Sequence, residues 1–245
     1  MPINNADRPG QYNNVSRPKT DQLAMPFQNR TDAGCHLARA LAKYKSRHPV
    51  ILALPRGGVP VAAEVAESLD ARLDLILVRK IGVPFQPELA MGAVVDGDDT
   101  LIVRNTDVIE FSGTSEKSFE EVCKEERAEI ERRRARYLGD RARSEIKGHV
   151  AIIVDDGIAT GATTLAAIRA LRKREPKKLV LAVPVAPADT LEKLRPEVDA
   201  IVCLETPPDF GAIGYYYRDF RQVDDEEVIN TLKRFPATKA SAEPS

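Results

Sequence analysis

The stretch IIVDDGIATGATT, residues 152–164, joins the end of an apolar run to two neighbouring acids and a loop of small residues. With the preceding HVA, its first three residues form a continuous apolar run, which is typical of a strand buried on both faces of a parallel sheet. The helical pattern TTLAAIRALRKR follows the loop directly. The stretch therefore predicts a strand, a turn and a helix, the repeating unit of an α/β sheet.

The rest of the chain repeats this alternation. Apolar runs predict strands at 50–54, 73–78, 91–95, 149–154, 178–183 and 200–204. Helical patterns occur at 32–45, 60–69, 162–174, 188–195 and 224–234. This order predicts a doubly wound α/β fold with a mainly parallel sheet and helices on both faces.

One excursion, at about 96–148, breaks the alternation. It passes through LIV into SFEEVCKEERAEIERRRARYLGD, where Ser118 and Glu121 match a capping box and Gly139 matches a helix C-terminus. A solvated helix with many ion pairs is one interpretation, because its apolar positions are few. A lid over a ligand site is the other, because long excursions in compact domains are often lids.

Composition narrows the function classes. Lys plus Arg (36) nearly balances Asp plus Glu (37) in 245 residues, so no nucleic-acid partner is expected. The three cysteines form no CxxC pair, which favours a reducing, cytoplasmic location over a disulfide framework or structural zinc. No apolar run approaches the roughly 20 residues of a membrane span.

The same patterns predict the domain limits. Residues 1–25 are expected to form a disordered leader without the apolar segment of a secretory signal, and 236–245 a disordered tail. A single domain is expected at 26–235.

The loop after the two acids is suited to a sugar phosphate. Glycines let the backbone approach a ligand, threonines supply hydroxyls, and a helix N-terminus favours an anion. Asp155 and Asp156 would accept hydrogen bonds from sugar hydroxyls or hold a divalent cation through water. An ordinary turn with one Asp cap is the alternative, but it leaves the second acid unexplained.

Two further segments follow predicted strands, where ligands of open α/β sheets bind. One is Pro55, Arg56, Gly57 and Gly58, whose amides and guanidinium suit a pyrophosphate unless the segment is a plain turn. The other carries Arg79 and Lys80, which would meet a second phosphate. Glu88, further along, either shapes an acceptor pocket or packs.

These three segments resemble the motifs of the type I phosphoribosyltransferases, which use 5-phosphoribosyl-1-diphosphate (PRPP). The resemblance covers about Phe27 to Phe235 and is strongest for a bacterial subgroup whose acceptor is not settled. It implies that Asp155 and Asp156 contact the ribose hydroxyls and that a pyrophosphate loop lies at 55–58, with Lys80 helping. The implied 5-phosphate loop comprises Gly157, Ile158, Ala159, Thr160, Gly161, Ala162, Thr163 and Thr164.

The resemblance also implies an activity: transfer of the phosphoribosyl group to a nitrogenous acceptor, expected to be a nucleobase in nucleotide salvage, with release of pyrophosphate. Mg²⁺ would be held mainly through PRPP, with Asp155 and Asp156 acting through water. Ala159 stands where oxopurine enzymes of the family carry a third Asp, which disfavours that chemistry but agrees with adenine- and uracil-type members.

The late segment GAIGYYYRDF supplies aromatic candidates for the acceptor pocket. Tyr217 and Phe220 could stack on a flat base, and packing of a C-terminal element is the equal alternative. Other functions also stay open: a non-catalytic PRPP-binding regulator, a hydrolase, or a PRPP-making diphosphotransferase, for which no ATP-binding region is apparent. Family members are commonly dimers, so a homodimer is one expectation.

Overall fold

The computed structural model describes residues 27–97 and 100–236. The predicted leader, and all of the predicted tail except residue 236, lie outside these ranges. Within them, strands occupy Val50–Ala53 (β1), Arg72–Leu75 (β2), Val78–Val83 (β3), Gln86–Val95 (β4), Leu101–Arg104 (β5), Val150–Val154 (β6), Lys178–Val185 (β7) and Ala200–Glu205 (β8). Helices occupy Arg30–Leu41 (α1), Gly58–Leu69 (α2), Thr106–Ser112 (α3), Glu116–Leu138 (α4), Ala162–Arg172 (α5), Ala188–Leu194 (α6) and Asp225–Lys233 (α7).

The main sheet has five parallel strands in the order β2-β1-β6-β7-β8. Every residue of β1 and β6 is buried, because helices cover both faces of the sheet. The continuous apolar runs of these strands required such burial, and the predicted doubly wound α/β fold is confirmed.

A second, antiparallel sheet of β3, β4 and β5 corrects two predictions. The run 73–78 is not one strand: β2 ends at Leu75 and β3 begins at Val78. The run 91–95 lies in β4 rather than in the parallel sheet. Because Ile76 and Leu77 are both buried at the crossing point, the chain stays apolar where it changes sheets, and hydrophobicity alone does not show the break.

The 96–148 excursion contains β5, α3 and α4. Helix α4 begins at Glu116 with Ser115 as its N-cap, so the predicted cap at Ser118 is wrong; the Ser115 hydroxyl oxygen accepts from the Ser118 amide at 3.2 Å. The helix buries Phe119 and Ile130 on one face and is ion-paired on the other. Closure of this region as a lid stays a prediction. No helix in the described ranges is long and apolar enough to cross a membrane.

Candidate functional site

The loops after β1 and β6 meet at the carboxyl edge of the main sheet. These strands are neighbours with Ala53 opposite Val154, and the Leu54 amide donates to the Val154 carbonyl at 2.9 Å. A Cβ placed on Gly57 would lie 2.1 Å from Oδ2 of Asp156. Only glycine therefore lets the predicted pyrophosphate loop lie directly against the acid pair.

Gly58 is also in close contact with the neighbouring loop, but its amide is not free for a pyrophosphate as predicted. Its Cβ would lie 2.7 Å from the Val154 carbonyl oxygen, so the close approach again needs glycine. However, Gly58 begins α2 and its amide donates to the Leu54 carbonyl at 3.0 Å, so the expected open N–H is already used. The Pro55–Arg56 peptide bond is cis.

The two acids lie side by side in a largely buried setting. The Asp156 amide donates to Oδ1 of Asp155 at 2.8 Å. Burial, and then the charge of Asp156, hold the pKa of Asp155 well above its usual range. Burial also raises the pKa of Asp156, although Arg30 opposes that rise. Such a pair is stabilised by hydroxyl donors or by a cation.

Arg30 is a site residue that the sequence reasoning missed. Its Nε donates to Oδ2 of Asp156 at 2.7 Å, its Nη1 donates to the Arg221 carbonyl at 2.8 Å, and both partners of the ion pair are buried. Arg30 is the first residue of α1, whose N-cap is Asn29. The partners are 126 positions apart in the sequence, so no local pattern indicates the pair. Asp156 is therefore already paired with a cation, and Asp155 is the carboxylate more available to a ligand.

Tyr217 and Phe220 pack behind the acid pair. The Tyr217 hydroxyl donates to the Asp156 carbonyl at 2.5 Å, and burial raises the pKa of Tyr217, which keeps this donor protonated. Phe220 stacks on Tyr217 at 5.0 Å and lies 3.9 Å from the Arg30 guanidinium. This geometry matches the alternative of C-terminal packing for the buried Tyr217, while an acceptor contact by Phe220 stays a prediction.

The predicted 5-phosphate loop is anchored at several points. The Ile158 amide donates to the Val185 carbonyl at 3.0 Å, and the Thr190 hydroxyl donates to the Ala159 carbonyl at 2.8 Å. Gly161, with φ of 76°, turns the chain into α5, which buries Thr164. The exposed residues of the loop, and therefore the ones open to a ligand, are Ala159, Thr160, Ala162 and Thr163.

The predicted cations lie in different surroundings from those expected. Arg79 and Lys80 are inside β3, not directly after a parallel strand, because the run 73–78 is broken. Arg79 pairs with Glu126 at 2.6 Å, and Lys80 pairs at 3.2 Å with Glu88, whose side chain is 98% exposed. Arg56 pairs with Asp225 at 3.4 Å. Glu88 is therefore paired with Lys80, whereas Tyr217 contacts Asp156 and Phe220 contacts Arg30.

Comparison with known proteins agrees with this geometry. Residues 29–220 match the family described as "Phosphoribosyl transferase domain". Two relatives from Mycobacterium tuberculosis, "Putative phosphoribosyl transferase MT0597" (strain CDC 1551 / Oshkosh) and "Putative phosphoribosyl transferase Rv0571c" (strain ATCC 25618 / H37Rv), are each 47% identical over 85% of this chain. The match covers 46% of each relative, so the chain spans about half their length.

A solved structure shares the fold over nearly the whole described chain. The protein TT1426 from Thermus thermophilus has a TM-score of 0.76 and 39% identity, covering 86% of this chain and 100% of its own. Together, the matched domain and the convergence of the acid pair with its two loops give one assignment. This chain belongs to the phosphoribosyl transferase family.

Proposed function

We propose that this chain is a pentosyltransferase that takes PRPP as donor, transfers its phosphoribosyl group to a nitrogenous acceptor and releases pyrophosphate. The observation that carries the proposal is the contact between Gly57 and Asp156, where a Cβ would lie 2.1 Å from the carboxylate. It brings the loop that suits a pyrophosphate against the acids that suit ribose hydroxyls. In PRPP these two groups are bonded to the same sugar ring.

Each part of the donor has a proposed contact. Asp155, the freer acid, accepts from a ribose hydroxyl, while Arg30 fixes the orientation of Asp156. The exposed loop residues Thr160 and Thr163, with the N-terminus of α5, take the 5-phosphate. Lys80 faces the pyrophosphate after leaving Glu88, which costs little because that carboxylate is exposed. Arg56 faces it after leaving Asp225, which keeps its hydrogen bond from Tyr137 and its ion pair with Arg136.

Mg²⁺ fits this site as an ion carried by the substrate. Among the described residues no group of three or more His, Cys, Asp or Glu could hold a metal. Asp155 and Asp156 would hold it through water, the second less freely because of Arg30. When bound, Mg²⁺ would neutralise charge on the leaving pyrophosphate.

The proposed chemistry needs little from the protein beyond positioning and charge. The acceptor displaces pyrophosphate at the anomeric carbon through an oxocarbenium-like transition state. The acid pair stabilises the positive sugar, and the loop cations stabilise the leaving group; one well-placed donor is worth roughly 3–4 kcal/mol in other enzymes. Ala159 brings no carboxylate to the loop, which favours an adenine- or uracil-type base over an oxopurine.

The test is pyrophosphate release with PRPP, Mg²⁺ and a panel of nucleobases and amines. We expect release with at least one acceptor, loss of release in Asp155→Asn, and normal release in Asp140→Asn, a matched change of an exposed acid. Binding of PRPP without turnover across the panel would overturn the enzyme assignment and favour the PRPP-binding regulator.

A further inference from the structure

A cavity of about 340 Å³ lies between α5 and the antiparallel sheet. Ala162 and Arg169 mark its extent along the helix, and Gly92 and Val103 lie on the opposite wall. Its volume falls within the range of small-molecule sites, about 300–1,000 Å³. Along α5 the cavity extends about 1.4 turns beyond Thr164, the end of the 5-phosphate loop, and most of its lining residues lie outside the site described above.

The charged residues that line the cavity are all cations. They are Lys80, Arg104 and Arg169, and none of the described lining residues is acidic. Their carboxylate partners, Glu88, Glu116 and Glu197, are not among the lining residues. Because these ion pairs are partly exposed, each cation can turn towards a bound anion at small cost.

Most of the remaining lining residues are apolar, beside the polar Asn105, Thr106 and Thr163. The apolar ones are small or aliphatic residues of β4, β5 and α5, among them Gly92, Ala93, Val103, Leu165 and Ala166. A Cβ on Gly92 would lie 2.5 Å from the Val103 carbonyl oxygen, so the close contact between the two strands leaves no room for a side chain at position 92. An apolar wall beside three cations favours a small molecule that has an apolar body and an anionic head.

We propose that this cavity is a second binding site, for a small molecule with an apolar body and a carboxylate or phosphate head. Arg169 and Arg104 bind the head, and the wall of β4 and α5 takes the body. The site does not include the acid pair, although it shares Ala162, Thr163 and Lys80 with the expected PRPP contacts. It does not depend on the proposed transfer reaction.

The probe is phenyl phosphate, followed by NMR at the amides of Gly92, Val103 and Leu165. We expect saturable chemical-shift changes at these amides. Inorganic phosphate and phenol should each bind at least tenfold more weakly, because the first lacks the apolar ring and the second lacks the anionic head. Arg169→Gln and Arg104→Gln should each weaken binding about tenfold. Arg172→Gln is the matched control, since Arg172 is one turn further along α5 and pairs with Asp199 outside the cavity.

The outcomes separate this proposal from the proposed function. Unchanged affinity in both Arg169→Gln and Arg104→Gln would overturn it. So would loss of the shifts in Asp155→Asn, because the probe would then belong to the acid-pair site. Shifts that persist in a protein that fails to bind PRPP would support this site while refuting the proposed function.

Discussion

Replacing Arg30 by Met tests how the acid pair is held. The change keeps an unbranched side chain but removes the guanidinium that donates to Asp156 at 2.7 Å and to the Arg221 carbonyl at 2.8 Å. The side chains of Arg30 and Asp156 are only 10% and 11% exposed, so water does not replace the lost partner. The variant leaves a buried carboxylate without its counter-charge.

The expected loss of unfolding free energy follows from the burial of the Arg30–Asp156 ion pair. Removing one partner of a buried ion pair costs about 3–5 kcal/mol of unfolding free energy, because the other charge stays buried and unpaired. Adding Asp156→Asn to the same chain removes that charge and should recover about 2 kcal/mol or more. The matched control is Arg104→Met. Like Arg30, Arg104 pairs with a carboxylate, that of Glu116, and lies over an aromatic ring, that of Phe119. Because the Arg104–Glu116 pair is exposed, we expect its loss to cost about 1 kcal/mol or less of unfolding free energy.

Urea unfolding followed by circular dichroism measures these values at several pH values. Arg30→Met removes the strongest influence that opposes burial, so the folded-state pKa of Asp156 rises further above its unfolded value. The folded variant then binds the proton more tightly, and its defect is largest above that pKa and shrinks as the pH falls through it. A cost under about 1 kcal/mol at neutral pH, or no recovery with Asp156→Asn, would show that Arg30 does not stabilise the buried charge of Asp156.

Three further variants probe the same site. Gly57→Ala places its Cβ 2.1 Å from the Asp156 carboxylate; we expect a loss of about 1–3 kcal/mol in unfolding free energy, which urea titration would contradict by showing no change. Tyr217→Phe removes the 2.5 Å hydrogen bond to the Asp156 carbonyl and should cost about 1–2 kcal/mol in the same assay. Asp155→Asn should stabilise the free protein at neutral pH. The folded-state pKa of Asp155 is raised, so its contribution makes wild-type stability decline as pH rises from the unfolded to the folded pKa. The variant keeps only the decline due to Asp156, and equal pH profiles would contradict this.

Local sequence features predicted the frame of the site well. The runs that form β1 and β6 are apolar throughout, and a glycine-containing loop follows each, so the sequence predicts the loops at the carboxyl edge of the sheet. The sequence does not predict the change of sheet between Leu75 and Val78, because the chain stays apolar and buried there. The positions of Arg79 and Lys80 were misplaced for the same reason.

Long-range partners set the limit of what the sequence shows. Arg30 reaches Asp156 across 126 residues, and Tyr217 reaches the Asp156 carbonyl across 61. Neither contact has a periodicity or a spacing that marks it. The aromatic cluster of the late segment suggested either stacking on a base or packing, and Tyr217 is buried and supports the backbone of the acid pair. The aromatic composition of the segment did not show which way each side chain points.

The most direct test of the central claim is a calorimetric titration of the full chain with PRPP, with and without Mg²⁺. We expect saturable binding that Mg²⁺ strengthens, an affinity about tenfold to a hundredfold lower in Asp155→Asn, and no change in Asp140→Asn. Absence of saturable binding to the wild-type protein, or equal affinity in Asp155→Asn, would contradict the central claim.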